Sequence, residues 1–435
     1  MKFFSDLHMH SRYARACSKD LRVETLEKWA AVKGINLLGT GDFTHPLWLA
    51  ELKEKLKPAG SGFFNFQNKN IFFALTAEVS LIYNDGKALR RVHHILTAPS
   101  FEVAGQINDF LGKKGKLAGD GRPIIGKLPS PELVEKCMEI SKDILVIPAH
   151  AWTPWFAIFG SKSGFDSLKE CFEDQTKNIF AIETGMSSDP AMNWRLSQLD
   201  NVAIISNSDS HSYWPWRMGR EANVFDLSEP SYFEMLEAIK KKDPKKFLYT
   251  IEVDPGYGKY HVDGHRACGI QMEPAEALKL KNICPKCKKE LTIGVLHRVE
   301  ELADRPVGFV PKGAIPFKTL LPLSELIAVV LGVQTPSKKV WEEYNKLIGK
   351  FGNEINVLIE ADEKELRAAA HGKIAEIILK NRLGEIKVKP GFDGVYGTLV
   401  VDGQEKILSG ESGEEKSEKP KKKIEKPAGL KKFIK

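Results

Sequence analysis

From residue 1 to about 250, short apolar runs alternate with amphipathic stretches. INLLGTGDF, IFFALTAEVSLIY, DILVIPAH, IFAIETG and VAIISNSDSH each carry an apolar run that ends in polar residues. Short apolar runs bounded in this way predict buried strands. Between them, VETLEKWAAVKG, SPELVEKCMEISK and SYFEMLEAIKKK place apolar residues at the spacing of one helix face. Strand–helix alternation predicts parallel strands joined by crossover helices. Polar side chains at the strand ends are what the open rim of a βα-barrel displays.

Beyond residue 250 the pattern changes. Residues 251–310 are polar and Gly-containing and hold a cysteine cluster. Residues 311–402 start at KGAIPFKTLLPLSELIAVVLG, continue through the helical VWEEYNKLIGKF and KELRAAAHGKIAEIILKNRLG, and end at the hairpin-like IKVKPGFDGVYGTLVV. Residues 403–435 turn to Ser, Gly, Glu, Lys and Pro, too polar to bury a core, and are expected to form a disordered basic tail. The expected division is therefore 1–250, 251–310, 311–402 and 403–435, with no internal repeat. A length of 435 residues suits several domains.

Composition narrows the class. At 42% hydrophobic and 28% charged the chain is globular, and no apolar run approaches the roughly 20 residues of a membrane span. The opening MKFFSDLHMH lacks the apolar core of a signal peptide, so a cytoplasmic, nucleoid-associated protein is expected. A net charge of +7 is too mild over this length to identify a nucleic-acid binder by itself, and much of it lies in the tail.

The chemistry gathers at the strand ends. DLHMH puts His8 and His10 on one face of an extended segment, with Asp6 on that face too. GTGDFTHP adds Asp42 and His45, TAEVS adds Glu78, and VHHIL adds His93 and His94. VIPAHAW adds His150, AIETG adds Glu183, and SNSDSH adds Asp209 and His211. Most of the eleven histidines fall at these points. Imidazoles and carboxylates converging on one rim would repel or need protons without a metal. The mixture suits Zn, Mn or Fe, with Mg less favoured. So many candidates imply two or three divalent ions, with a carboxylate such as Glu78 bridging.

HxH after the first strand, a lone Glu on a later one, HIL, AH and a terminal DSH resemble the polymerase-and-histidinol-phosphatase (PHP) superfamily over residues 1 to about 215. The resemblance implies a distorted (β/α)7 barrel with a three-metal site that hydrolyses phosphate esters, followed here by the zinc-binding module and the mainly helical C-terminal region. Carried over, His8, His10, Glu78 and Asp209 hold one ion, and Glu78, His94 and His150 a second. The third falls to Asp42 or His45 with His211. His94 is preferred to His93 because HIL is the family-like context. Two departures fall on the third ion: Phe43 stands where the family often has a histidine after the acid, and SRYARAC lacks a further histidine. Asp209, His211 and Arg15 are expected to carry catalysis, and Arg15 and Arg217 to clamp a phosphate oxygen.

Downstream, YHVDGHRACG and ICPKCKKELTIG form HxxC…CxxC. Cys268, Cys284 and Cys287 with a histidine suit a closed tetrahedral zinc site better than a redox pair. His265 is the expected fourth ligand, His261 its rival, and His297 more remote. A barrel followed by GHRACG, ICPKCKKELTIGVLHRVEELADR and PLSELIAVVLGV resembles, nearly end to end, a branch of PHP enzymes that nick damaged DNA. This implies cleavage 5′ to uracil, hypoxanthine, xanthine and abasic sites. The chain's own equipment is compatible: Trp152, Trp155 and Phe156 follow His150, and Tyr213, Trp214 and Trp216 follow His211, rings suited to stacking on an extruded base. The lysine-rich 416–426 suits salt-sensitive DNA contact. Leu430, Phe433 and Ile434 resemble a degenerate sliding-clamp-binding end. A small-molecule phosphatase of histidinol-phosphate type and a non-catalytic DNA-binding or helicase-associated protein are the competing readings.

Overall fold

The computed structural model describes residues 1–401 and 404–406; the tail segment 416–426 and Leu430, Phe433 and Ile434 lie outside these described residues. The strands of the first part are β1 (Lys2–Asp6), β2 (Leu37–Gly39), β3 (Lys57–Pro58), β4 (Phe64–Asn65), β5 (Phe72–Asn84), β6 (Leu89–Ala98), β7 (Ile124–Gly126), β8 (Val146–Pro148), β9 (Ala181–Glu183), β10 (Ala203–Ile205), β11 (Ala222–Asp226) and β12 (Phe247–Glu252). Each of the five apolar runs expected to be a strand contains one. The helices Val23–Lys33, Ser130–Ile140 and Tyr232–Lys241 fall on the three stretches with a helical period.

Strand order follows the expected alternation only in part. β1, β2 and β5 pair in parallel, as do β9 and β10. β5 and β6, however, form a long antiparallel hairpin, and β6 runs antiparallel to β8. The reason is local. Asn84–Asp85–Gly86 is a turn signal: Asp85 Oδ1 accepts from the N–H groups of Lys87 (2.8 Å) and Ala88 (2.7 Å), and Gly86 takes φ +88°. The chain therefore reverses where a crossover helix was expected. On the other flank β1 pairs antiparallel with β11, and β11 with β12. The result is a mixed α/β sheet system.

Alternation of side chains builds two cores from one sheet. Leu7, Leu37, Ala74, Ile95, Ile147, Ala181 and Ala203 share an interior cluster that joins the main sheet to β9–β10. Leu75, Val79, Val92 and Leu96 face the other way, against the helices Val23–Lys33, Phe101–Gly112 and Ser130–Ile140. Glu78, in register opposite Ile95 in the β5–β6 hairpin, lies four residues along β5 from Ala74 and on the same face. The interior face thus ends in a carboxylate.

β13 (Asp263–His265) and β14 (Ile270–Met272) form a small hairpin over a cluster of only Met272, Ala277, Cys284 and Leu291. β15 (Phe317–Thr319) returns to pair with β12. The helices Leu323–Leu331, Lys338–Phe351, Glu363–Ala369 and Gly372–Arg382 then close a separate core around Leu326, Tyr344, Leu347, Ile374 and Ile378. Among the described residues no helix is long and apolar enough to cross a membrane.

Candidate metal centres

Three strand ends and the interiors of two further strands deliver ligands to one place. His8 and His10 follow β1, His150 follows β8, and Asp209 follows β10, while Glu78 and His93 point inward from β5 and β6. Two ligand groups result, His8–His10–Glu78–Asp209 and Glu78–His93–His150, in each of which the ligand atoms lie within 4.8 Å of one another. Glu78 belongs to both, and its two oxygens divide between them. Oε2 stands 3.5 Å from His8 Nε2 and 3.3 Å from His10 Nε2. Oε1 stands 2.7 Å from His93 Nδ1 and 3.1 Å from His150 Nε2. One carboxylate thus gives an oxygen to each group.

The residues fit divalent ions on two further counts. His8 Nε2 is buried and has no hydrogen-bond partner, an expensive state unless a cation takes it. The backbone is also strained: Asp42, His150 and Asp209 adopt φ of +48°, +30° and +47°, which costs about 1–3 kcal/mol at each such residue and concentrates at functional sites.

Carboxylates behind the cluster aim its imidazoles. Both oxygens of Glu183 lie 3.0 Å from His8 Nδ1, and Glu183 also accepts from the His150 N–H (2.7 Å) and Asn207 Nδ2 (3.0 Å). Asp42 Oδ1 is 3.0 Å from His10 Nδ1, and Asp42 Oδ2 accepts from the Ser11 N–H at 2.5 Å. Each acid engages Nδ1 and leaves Nε2 for the cluster. Replacing Glu183 by alanine is therefore expected to lower metal affinity by about 10–100-fold, read from a Mn2+ titration; an unchanged isotherm would remove Glu183 from the site.

Charge is balanced tightly. Burial would raise the Glu78 carboxyl, yet Arg122, His93 and His8 hold it well below the usual carboxylate range. Burial would likewise lower His8, but Glu183, Asp209 and Glu78 lift it well above the ordinary imidazole value. Burial pushes His93 down to about 4, which keeps that ring neutral, the form that binds a metal.

The structure departs from the sequence reading at several residues. His94 is not with the cluster. It pairs opposite Val79, on the outward face, and its Nε2 lies 2.9 Å from Ser130 Oγ; His93, opposite Ser80, occupies the inward position. Among the described residues Asp42, His45 and His211 do not form a third group. Asp42 orients His10, His45 stacks on Tyr13 at 4.3 Å, and His211 packs 4.4 Å from the His10 ring while its Nδ1 donates to the Asp209 carbonyl (3.1 Å). Asp6 is turned away as well, accepting from the Ser208 hydroxyl (2.5 Å) and the Gly219 N–H (2.8 Å).

Arg15 projects outward, with its side chain 82% exposed and 3.7 Å from Asp120. The arginine at the cluster is Arg122, which donates to Glu78 Oε2 at 3.0 Å, and no feature of GDGRPIIG singled it out. Of the rings, Trp152 is a core residue that donates to Asn193 Oδ1 at 2.7 Å. Trp155 is exposed beside Tyr260, and Phe156 lies 4.7 Å from His93. Tyr213, Trp214 and Trp216 join a ring cluster with Trp29 and Trp341. Arg217 follows them, half-buried, its N–H bonded to the Trp214 carbonyl at 2.8 Å.

A third ligand group joins His265, Cys268, Cys284 and Cys287, all ligand atoms within 4.8 Å, and His265 Nδ1 is 3.4 Å from Cys287 Sγ. The rivals lie elsewhere: His297 Nδ1 is 2.5 Å from Asp263, and His261 is outside the group. Burial would raise the Cys284 thiol, but the N–H groups of Cys287 and Lys286 bring it down to about 6, a thiolate at neutral pH. Three thiols and an imidazole in this arrangement suit zinc.

A family model described as the MJ0043 C-terminal domain matches residues 322–385. The crystal structure of PfuEndoQ, a lesion-specific endonuclease from Pyrococcus furiosus, superposes with a TM-score of 0.83 at 34% identity, covering 92% of this chain and 95% of that one. A structure of endonuclease Q complexed with a 27-mer duplex substrate, an abasic lesion at its active site, superposes with a TM-score of 0.82 at 34% identity, over 92% of this chain and 96% of that one. The uncharacterised protein MJ0043 of Methanocaldococcus jannaschii is 36% identical over 255 residues; these are 58% of this chain but only 31% of the relative's length. YqxK of Bacillus subtilis is 29% identical over 417 residues, 92% of this chain and 99% of its own.

Proposed function

The chain belongs to the endonuclease Q family, and from that premise we propose that it is a metal-dependent endonuclease that hydrolyses DNA on the 5′ side of deaminated bases and abasic sites. In this reading the sheets around the common interior are the distorted (β/α)7 barrel of the PHP superfamily, and the cysteine group is a structural zinc site. The observation that carries the proposal is the division of the Glu78 oxygens between two ligand groups.

His8, His10, Glu78 and Asp209 would hold one divalent ion, and Glu78, His93 and His150 the other. A pair of ions there would supply a water of lowered pKa and neutralise charge on the phosphate and leaving oxygen. The chain's own residues do the rest. Glu183 and Asp42 fix the imidazole orientations, and Arg122 is placed to contact a non-bridging phosphate oxygen. Asp209, with its side chain 32% exposed, marks where the cluster opens to solvent. Trp155 and Phe156, on the loop after His150, are the rings best placed to meet an extruded base, which costs less to extrude when damaged or unpaired.

The test uses end-labelled duplexes that carry one uracil, hypoxanthine or abasic site. A single cut on the 5′ side of the lesion, and none in undamaged duplex, is the expected result. Cleavage independent of the lesion would sink the substrate assignment. Binding without any cleavage would favour the non-catalytic reading, and phosphate release from a small ester alone would favour the phosphatase.

A further inference from the structure

Asp209 and His211 open a loop that runs to Gly219, and the far side of that loop is held by the C-terminal helices. The Pro215 carbonyl accepts from Lys33 Nζ at 2.7 Å, and the same ammonium donates to Glu354 Oε1 at 2.7 Å. The pair is buried, the side chains 3% and 0% exposed. Glu354 also accepts from the Leu323 N–H (3.0 Å) and the Tyr344 hydroxyl (2.8 Å). One carboxylate therefore ties the start of one C-terminal helix and the middle of the next to the last residue of Val23–Lys33. The two parts meet closely: Gly34 takes φ +95°, and a Cβ there would lie 2.6 Å from Asn353 Oδ1. Rings close the junction. Trp214 stacks on Trp216 at 5.0 Å, and each lies 5.6 Å from Trp341.

A buried ion pair seldom adds stability over an apolar pair of equal volume; its best-attested use is to select one arrangement. The arrangement selected here is the position of Pro215, on the loop that begins at a metal-ligand candidate. We propose that Lys33 and Glu354 are positioning residues through which the C-terminal helical module sets the loop that presents Asp209 to its ligand group. This rests on the reading of that group as a metal site.

The test uses the full chain with the cysteine group loaded with zinc. The double variant Lys33→Met with Glu354→Leu removes both charges at similar volume, and Glu354→Gln, which retains hydrogen-bonding capacity toward Leu323 and Tyr344, serves if the double variant does not fold. Three quantities are read: the melting temperature, the Mn2+ isotherm, and kcat and KM on an abasic duplex. The expected result is a variant that still melts cooperatively, at a lower temperature because the Pro215 carbonyl, the Leu323 N–H and the Tyr344 hydroxyl lose partners, with Mn2+ affinity and kcat each about tenfold lower and KM for DNA unchanged. A folded variant with wild-type Mn2+ affinity and kcat overturns the positioning role and leaves the function standing. A wild type that binds Mn2+ but cuts no lesion overturns the function, and the isotherms still decide the positioning role. A wild type that binds no Mn2+ overturns both.

Discussion

Replacing Glu78 by glutamine is expected to lower lesion cleavage by more than about 100-fold, beyond the loss produced by removing an outer ligand partner. Glutamine is nearly isosteric, but it replaces one oxygen by a nitrogen that cannot ligate. Whichever way the amide turns, the group around Oε1 or the group around Oε2 loses a ligand, and the charge between the two sites disappears. DNA affinity should fall less than cleavage, because Glu78 is itself an anion and offers a phosphate no favourable contact of its own. The same substitution alters stability with a defined sign. The Glu78 carboxyl is held well below its ordinary value by Arg122, His93 and His8 against the effect of burial. Its contribution is therefore present above the unfolded pKa of about 4.3 and is lost as pH falls through the folded value. Acid-unfolding curves of metal-free protein should show the variant less stable at neutral pH and the difference closing towards low pH. Wild-type cleavage by the variant would dismiss the bridging role.

Cys284→Ser is expected to release one zinc per chain and to unfold the segment around β13 and β14. The apolar cluster there consists of only Met272, Ala277, Cys284 and Leu291, with Cys268, Ile270 and Cys287 half-buried against it. So little burial cannot order the segment alone. Structural zinc contributes roughly 10–16 kcal/mol in comparable small sites at neutral pH, so its loss outweighs anything the packing supplies. Limited proteolysis should become fast within 263–291 while the sheet core resists, and metal analysis should show the zinc gone. Unaltered zinc content and proteolysis would show that the group is not a metal site.

Much of this site was legible in the amino-acid order, because a histidine or acid at the end of an apolar run says which rim it will join. His8, His10, His150 and Asp209 are legible in that way, and HxxC…CxxC points to His265, Cys268, Cys284 and Cys287; Glu78 stands in the middle of β5, not at its end, and shows only as a lone acid in an apolar strand. What failed depended on register or on distance along the chain. His93 and His94 are adjacent, and only the pairing of Ser80 with His93 decides which ring faces Glu78. The turn at Gly86 was visible in Asn-Asp-Gly, yet the crossover pattern of the neighbouring segments masked it. Arg122 reaches Glu78 from 44 residues away, and no local pattern carries such a contact. Trp152 and Trp155 looked equivalent on one loop, but one closes the core and the other faces solvent, a distinction set by packing alone.

If cleavage at a lesion needs two ions in the Glu78 cluster, a metal titration of activity will show it. Protein stripped of loosely held divalent ions, under conditions that spare any metal at the cysteine group, is mixed with a labelled abasic duplex, and Mn2+ is added stepwise. No cleavage is expected at the start, and activity should reach its plateau at two Mn2+ bound per chain. Full cleavage by the stripped protein, or binding of two ions with no cut at any concentration, would contradict it.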